Sequence, residues 1–245
     1  MTKLSVNVNK VATLRNTRHS GLPSVLRAAT LCLEAGAHGI TVHPRPDERH
    51  IRPSDVLELA ALLKDYPAAE YNIEGNPFEG RYMDLVRQVR PAQCTLVPDD
   101  PSAFTSNEGW DVARHAGRLK PIIAALKDLG CRVSLFLDAD SERVPLAAGL
   151  KADRIELYTE SYATAFRDGQ ATRGVEPFAL AAKAAAEHGL GVNAGHDLSR
   201  ENLPLFLGNV PGVLEVSIGH ALIADALEMG YATTVRAFLA ALVPA

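Results

Sequence analysis

The chain has 245 residues, 47% of them hydrophobic and 22% charged, and a formal net charge of −4. That length suits one large domain or two small ones, and the apolar fraction is enough for a substantial core. The slight acidity argues against a general affinity for nucleic acid or anionic lipid, so any phosphate ligand must be held by local donors.

Short β-prone runs alternate with longer helical stretches along the chain. The first strand is expected at Leu4–Val8. A helix follows over Pro23–Ala35, where Leu22, Val25, Leu26, Ala29, Cys32 and Leu33 fall on one face at helical spacing. The second strand is Gly39–His43, followed by a helix over Pro53–Leu63. Pro53 suits a first helical turn, and Ser54 and Asp55 suit its positive end. Strands three and four are Glu70–Ile73 and Gln93–Val97, and a long loop over Pro98–Asp111 comes next. Strands five and six are Arg132–Leu137 and Arg154–Tyr158, with a second long loop over Thr159–Glu176. Strands seven and eight are Gly191–Ala194 and Val213–Ile218. Helices are expected to stop at Gly36, Gly130, Gly149 and Gly189, because glycine tolerates the left-handed conformation that ends many helices. Long loops inside compact domains often serve as lids.

Eight strand–helix units in a chain of this length predict α/β architecture, a closed (β/α)8 barrel of the TIM type, spanning 1–245 as one domain. An open doubly wound sheet is the alternative, but no glycine-rich dinucleotide loop follows the first strand. Cys32, Cys94 and Cys131 are far apart and odd in number, so they read as small buried side chains in a reducing compartment. The segment Met1–Asn7 lacks the apolar core of a secretion signal, and no run approaches the ~20 apolar residues that cross a bilayer. A cytoplasmic location is the expectation.

Reactive groups in such barrels lie at the C-terminal ends of the strands. Those ends carry Asn7 and Asn9, His43 and Arg45, Glu74, Asp138, Glu156, His196, and Gly219-His220. Ionisable groups at corresponding ends of different strands are hard to explain as packing alone. The stretch from His43 to Arg52 holds two histidines and three arginines, which reads as an anion clamp because the planar guanidinium suits phosphate. Ile218-Gly219-His220-Ala221 opens the last unit's helix, whose unpaired N–H groups favour a phosphate, and Asn193-Ala194-Gly195-His196-Asp197 supplies the turn before it. Arg15 and Arg18 could reach a second anion or coat the surface.

Six ordered motifs, Val11-Ala12-Thr13-Leu14-Arg15-Asn16, Gly39-Ile40-Thr41-Val42-His43, Arg49-His50-Ile51, Val133-Ser134-Leu135-Phe136, Val192-Asn193-Ala194-Gly195-His196 and Ile218-Gly219-His220-Ala221, resemble those of the pyridoxine 5'-phosphate synthases. The resemblance runs from about Val6 to the last helix. It implies a (β/α)8 barrel that condenses 3-amino-2-oxopropyl phosphate with 1-deoxy-D-xylulose 5-phosphate, giving pyridoxine 5'-phosphate, inorganic phosphate and water. It implies no metal and no organic cofactor, and a symmetric homo-oligomer, commonly an octamer. By the same resemblance His43 and Glu74 match general bases, His196 a proton donor, and Glu156 a carboxylate that stabilises a transition state. Asn7, Arg18, Asp197, Gly219 and His220 fall where the family holds the amino-ketone phosphate, Asp197 through its backbone since the family commonly has glycine there. Arg45, His50 and Thr105 fall where it holds the deoxyxylulose phosphate. One departure follows the first strand: Asn7-Val8-Asn9-Lys10 stands where better-known members read Asn-x-Asp-His, and the role of that pair is not carried over.

Two rival readings remain at this point. A metal-dependent barrel hydrolase or aldolase would use His43, Glu74, His196 and His220 as ligands, but the His-x-His pair common on the first strand of such enzymes is missing. A non-catalytic phosphosugar-binding protein is favoured only by Asn9-Lys10.

Overall fold

The strand segments alternate residue by residue. Lys3-Leu4-Ser5-Val6-Asn7 and Glu70-Tyr71-Asn72-Ile73-Glu74 place polar side chains at every second position, and Arg132-Val133-Ser134 and Arg154-Ile155-Glu156 begin the same way. A period of two sends the two sets to opposite faces of a sheet. The structure, a computed structural model, describes residues 1–99 and 106–243. Parallel strands β1 (Lys3–Asn7), β2 (Gly39–Val42), β3 (Glu70–Gly75), β4 (Gln93–Leu96), β5 (Arg132–Leu137), β6 (Arg154–Tyr158), β7 (Gly191–Gly195) and β8 (Val213–Ile218) close into a barrel in sequence order. β8 pairs back on β1, with Ser5 opposite Ser217.

The helices are α1 (Asn9–Asn16), α2 (Val25–Glu34), α3 (Pro53–Leu62), α4 (Tyr82–Val89), α5 (Val112–Asp128) and α6 (Val144–Gly149). They continue as α7 (Glu160–Arg167), α8 (Ala171–Glu187), α9 (Leu203–Asn209), α10 (His220–Met229) and α11 (Tyr231–Ala241). A 3-10 turn, Leu63–Asp65, prolongs α3. α2 begins at Val25 because the Ser24 side chain accepts from the Arg27 N–H at 3.1 Å. Among the described residues no helix is long and apolar enough to cross a membrane.

The apolar set, including Leu4, Val6, Ile40, Val42, Ile73, Leu96, Val133, Leu135, Ile155, Leu157, Val216 and Ile218, is fully buried and belongs to one hydrophobic core with buried residues of the helices. The polar set fills the lumen. Gln93 Nε2 on β4 donates to Glu215 Oε1 on β8 at 3.1 Å, a contact between strands that are not neighbours in the barrel. Gln93 Oε1 accepts from Arg132 Nε at 2.8 Å and from Asn193 Nδ2 at 3.3 Å. At the N-terminal end Lys3 and Arg132 both pair with Glu70. Higher up, the Ser5 and Thr41 hydroxyls meet at 2.6 Å, and Thr95 Oγ1 donates to Asn72 Oδ1 at 3.1 Å. Bulky apolar side chains usually fill such lumens; here hydrogen bonds and ion pairs do.

Two sequence expectations need correction. Thr159–Glu176 is not a long loop: it holds all of α7 and the start of α8, joined only by Asp168-Gly169-Gln170. Gly174 and Pro177 both lie inside α8. A Cβ on Gly174 would come within 2.4 Å of Ala165 Cβ, so this glycine lets α7 and α8 touch. Tyr162 and Phe166 of α7 then stack near Phe178 and Phe206. The second correction concerns Gly149. Gly36, Gly130 and Gly189 do take positive φ after their helices, but Gly149 is the last residue of α6 and Lys151 takes the left-handed position, at φ 66°.

Replacing Gln93 with leucine would leave Arg132, Asn193 and Glu215 each short of a partner in the lumen. We expect a loss of about 1–3 kcal/mol. Urea unfolding should show a lower midpoint at unchanged slope.

Candidate active site

The C-terminal ends of the strands surround a cavity of about 270 Å³. Its wall includes Asn7, His43, Arg45, His50, Glu74, Glu156, His196, Asp197, Gly219 and His220, so the structure brings ten of the expected site residues together. Thr105 lies outside the described residues. Arg18 does not line the cavity; it is exposed beyond the end of α1. Asp138 is also absent from the wall, and its carboxylate instead accepts from the Gly109 N–H at 3.1 Å.

The strand pleat carries the acid–base groups. Glu74 is next to last in β3 and Glu156 is central in β6, while His43 directly follows β2. Asn7 Nδ2 donates to Glu74 Oε2 at 3.4 Å, and His43 Nδ1 lies 3.9 Å from the same oxygen. Thr95 Oγ1 lies 3.4 Å from Glu156 Oε2. Burial, aided by the positive charge of Arg45, holds His43 well below its ordinary value, so it is neutral at pH 7. Burial also drives Glu74 far up, with the Glu156 and Asp99 carboxylates adding to the effect. Glu156 is pushed up to about 8, again mainly by burial and next by Glu215. Both glutamates therefore favour their protonated forms near neutrality.

His196 has φ of 94°, rare for a residue with a side chain and a strained backbone at the mouth. Its N–H reaches Ser217 O at 3.3 Å and its Nδ1 lies 2.9 Å from Asp197 Oδ2. Gly195 before it must be glycine, since a Cβ there would sit 2.6 Å from Ser217 O and 3.1 Å from Glu156 Oε1. The Asp197 N–H donates to Thr159 Oγ1 at 3.2 Å. Without a ligand, Asp197 gives its amide to Thr159 and sets its carboxylate beside His196.

Two anion-attracting groups flank the cavity. Gly219 precedes α10, whose first N–H groups have no acceptor within the helix. A Cβ at Gly219 would lie 3.1 Å from Asn7 Cβ, so the turn packs directly on β1. On the other side stands the loop of Arg45 and His50. The Ile51 N–H donates to His50 Nδ1 at 2.9 Å, which leaves Nε2 as the protonated nitrogen. Burial and the nearby cations hold His50 down to about 4, so it meets a ligand as a neutral donor.

Several contacts in and around the site were not read from the sequence. Asn16 Nδ2 donates to the carbonyls of Glu48, Arg49 and His50 at 3.2, 3.1 and 2.9 Å and pins the anion loop to α1. Arg15 neither coats the surface nor reaches a ligand: it is buried, pairs with Asp55 through both terminal nitrogens, and donates to His50 O at 3.1 Å. Asn9 Oδ1 accepts from the His43 N–H at 2.9 Å and fixes the end of β2. Lys10, Ser106, Phe136 and Ser217 also line the cavity. Asp99 was passed over because no end residue was assigned to the fourth strand; counting by twos from Gln93 and Thr95 reaches it. Among the described residues no group of three His, Cys, Asp or Glu side chains is placed to hold a metal ion, so His43, Glu74, His196 and His220 do not form the ligand set of the hydrolase reading.

Comparison with known proteins adds to this geometry. The family described as pyridoxal phosphate biosynthesis protein PdxJ matches residues 4–243. A protein of Albidiferax ferrireducens named pyridoxine 5'-phosphate synthase is 58% identical over 243 residues, covering 97% of this chain and 96% of that one. One from Xanthomonas campestris pv. campestris with the same name is 56% identical, covering 98% and 95%. Among solved structures, phosphoribosyl anthranilate isomerase from Thermotoga maritima superposes with a TM-score of 0.61 at 13% identity, over 99% of this chain and 98% of that one. Tryptophan synthase from M. tuberculosis gives 0.67 at 13%, over 98% and 92%. These last two speak for the fold alone.

The raised Glu156 sets a pH dependence. Its folded value of about 8 exceeds its ordinary 4.5, so the folded state holds the proton more tightly. The stability this contributes is complete below 4.5 and is lost as pH rises through about 8. Glu156→Gln should remove that loss. Urea unfolding from about pH 5 to about pH 9 should show the variant gaining on the wild type with rising pH. A constant difference across that range would contradict the assignment.

Proposed function

The chain belongs to the family of pyridoxal phosphate biosynthesis protein PdxJ, and we propose that it acts as a pyridoxine 5'-phosphate synthase, joining 3-amino-2-oxopropyl phosphate to 1-deoxy-D-xylulose 5-phosphate. One observation carries the reading: His43, Glu74, Glu156 and His196 line a single cavity with an anion-attracting group on either side. Such a condensation needs proton transfers at several carbons and two phosphate sites, because one phosphate leaves and the other stays.

The amine of the first substrate attacks the ketone of the second, and loss of water gives an imine. Proton removal beside that imine expels the deoxyxylulose phosphate. Water addition, ring closure and the loss of two further waters make the pyridine. His43, neutral through burial, is the base with an available lone pair; Glu74 holds its proton in the empty site and acts as the second base once it has passed that proton on. His196 returns protons to leaving oxygens. Glu156, protonated near neutrality, donates a hydrogen bond where negative charge develops. Each such group is worth about 10²–10⁴-fold. The retained phosphate belongs at Gly219-His220 and the departing one at Arg45 and His50. We further infer one catalytic domain over 1–245, a symmetric homo-oligomer such as an octamer, and a cytoplasmic location. Three buried thiols without disulfides support that location.

Mixing the two substrates with purified enzyme should yield pyridoxine 5'-phosphate equally with and without a chelator. Loss of activity on chelation would favour the metal-dependent reading instead. Glu74→Gln should keep substrate binding and lose turnover by about 10²-fold or more; near-normal turnover would mean Glu74 is not an essential base. A product complex should show its phosphate at Gly219-His220, and a phosphate beside Arg45 in that complex would refute the assignment.

A further inference from the structure

Asp99 has no role in the chemistry above, yet it touches two residues that do. Its side chain is 5% exposed. One oxygen, Oδ2, accepts from Arg45 Nη2 and from Ser106 Oγ, the latter at 2.8 Å. The same oxygen lies 3.7 Å from His43 Nε2. Glu74 Oε2 stands 3.9 Å from the other ring nitrogen, Nδ1. The imidazole is therefore held between two carboxylates. The Arg45 guanidinium is already occupied by an anion of the protein itself.

A phosphate dianion and a carboxylate compete for one guanidinium, and each forms charge-assisted hydrogen bonds with it. A buried carboxylate that loses its cation must find another donor. For Asp99 the imidazole is the adjacent candidate, within a small side-chain movement.

We propose that Asp99 is a positioning residue that exchanges partners: it holds Arg45 in the empty site, and when a substrate phosphate takes Arg45 it turns to the Nε2–H of His43. The inference rests on Arg45 binding phosphate, as argued under the proposed function. In the exchanged state Nε2 is the protonated nitrogen and Nδ1 keeps the lone pair. A carboxylate behind Nε2–H then fixes the tautomer and stabilises the imidazolium that forms when Nδ1 accepts a proton. Arrival of the phosphate thereby prepares the base, and His43 is not fully prepared before it.

Inorganic phosphate is the probe, titrated calorimetrically into the intact enzyme and two variants. Asp99→Asn should bind it about tenfold tighter, because the internal competitor is gone, while kcat falls about tenfold to hundredfold with KM for the deoxyxylulose substrate unchanged or lower. A purely structural role would weaken phosphate binding and raise KM. Arg45→Met should lose one of two phosphate-binding events, the site at Gly219-His220 keeping the other. If Arg45→Met loses that event but Asp99→Asn binds phosphate like the wild type, the exchange is wrong and the phosphate site stands. If Arg45→Met binds like the wild type, the phosphate assignment fails and takes the exchange with it. A crystal structure of the wild-type enzyme in inorganic phosphate tests the same idea without a variant. Asp99 should have left Arg45 and lie within hydrogen-bond distance of His43 Nε2; Asp99 still paired with Arg45 overturns the proposal.

Discussion

A parallel barrel must fill its lumen with something, and in this one the filling is polar. Arg132, Arg154, Glu70, Glu215, Gln93 and Asn193 satisfy one another inside the barrel, and none of them lines the cavity. Apolar cohesion is left to the outer face of the strands and the helices that cover it. Each buried charge inside the barrel is therefore tolerable only while its neighbours are in place, since an unpaired ionised group in such surroundings is costly. The same constraint governs the catalytic end, where the lumen opens into the cavity.

At that end carboxylates outnumber the cations able to neutralise them from within. Glu74, Glu156 and Asp99 face one another across a small volume, and burial makes ionisation of all three unfavourable. The two glutamates hold protons near neutrality. A site stocked with transferable protons suits a reaction made of successive proton movements. It also places neutral imidazoles at His43 and His50 beside the arginines, so the positive charge available to a phosphate resides mainly on guanidinium groups.

Much of this was legible in the sequence. The eight strands could be placed to within two residues at either end, because helices capped by Ser24 or ended by Gly36, Gly130 and Gly189 leave recognisable borders. End-of-strand counting gathered eight of the ten site residues on the cavity wall, and the arginine-rich loop and the turn after β7 added His50 and Asp197. What escaped had a physical reason in each case. Gly174 serves a helix contact, and glycine has the same letter whether it breaks a helix or lets two approach. Arg15 and Asn16 look like solvated surface groups until the fold folds the anion loop over them. The polar filling of the lumen was present as strict alternation, yet it was hidden by the expectation that barrel strands are apolar throughout.

α1 deserves to be viewed as a bracket. Its first residue, Asn9, holds the amide of His43, and its last, Asn16, holds three carbonyls of the arginine loop. The strand before it carries Asn7, which touches Glu74 on one side and lies against Gly219 on the other. A stretch of ten residues thus sets the spacing between the base, the departing anion and the retained one. Drift in this stretch would change both pockets at once, so neither can be retuned for a longer or shorter substrate independently of its neighbour.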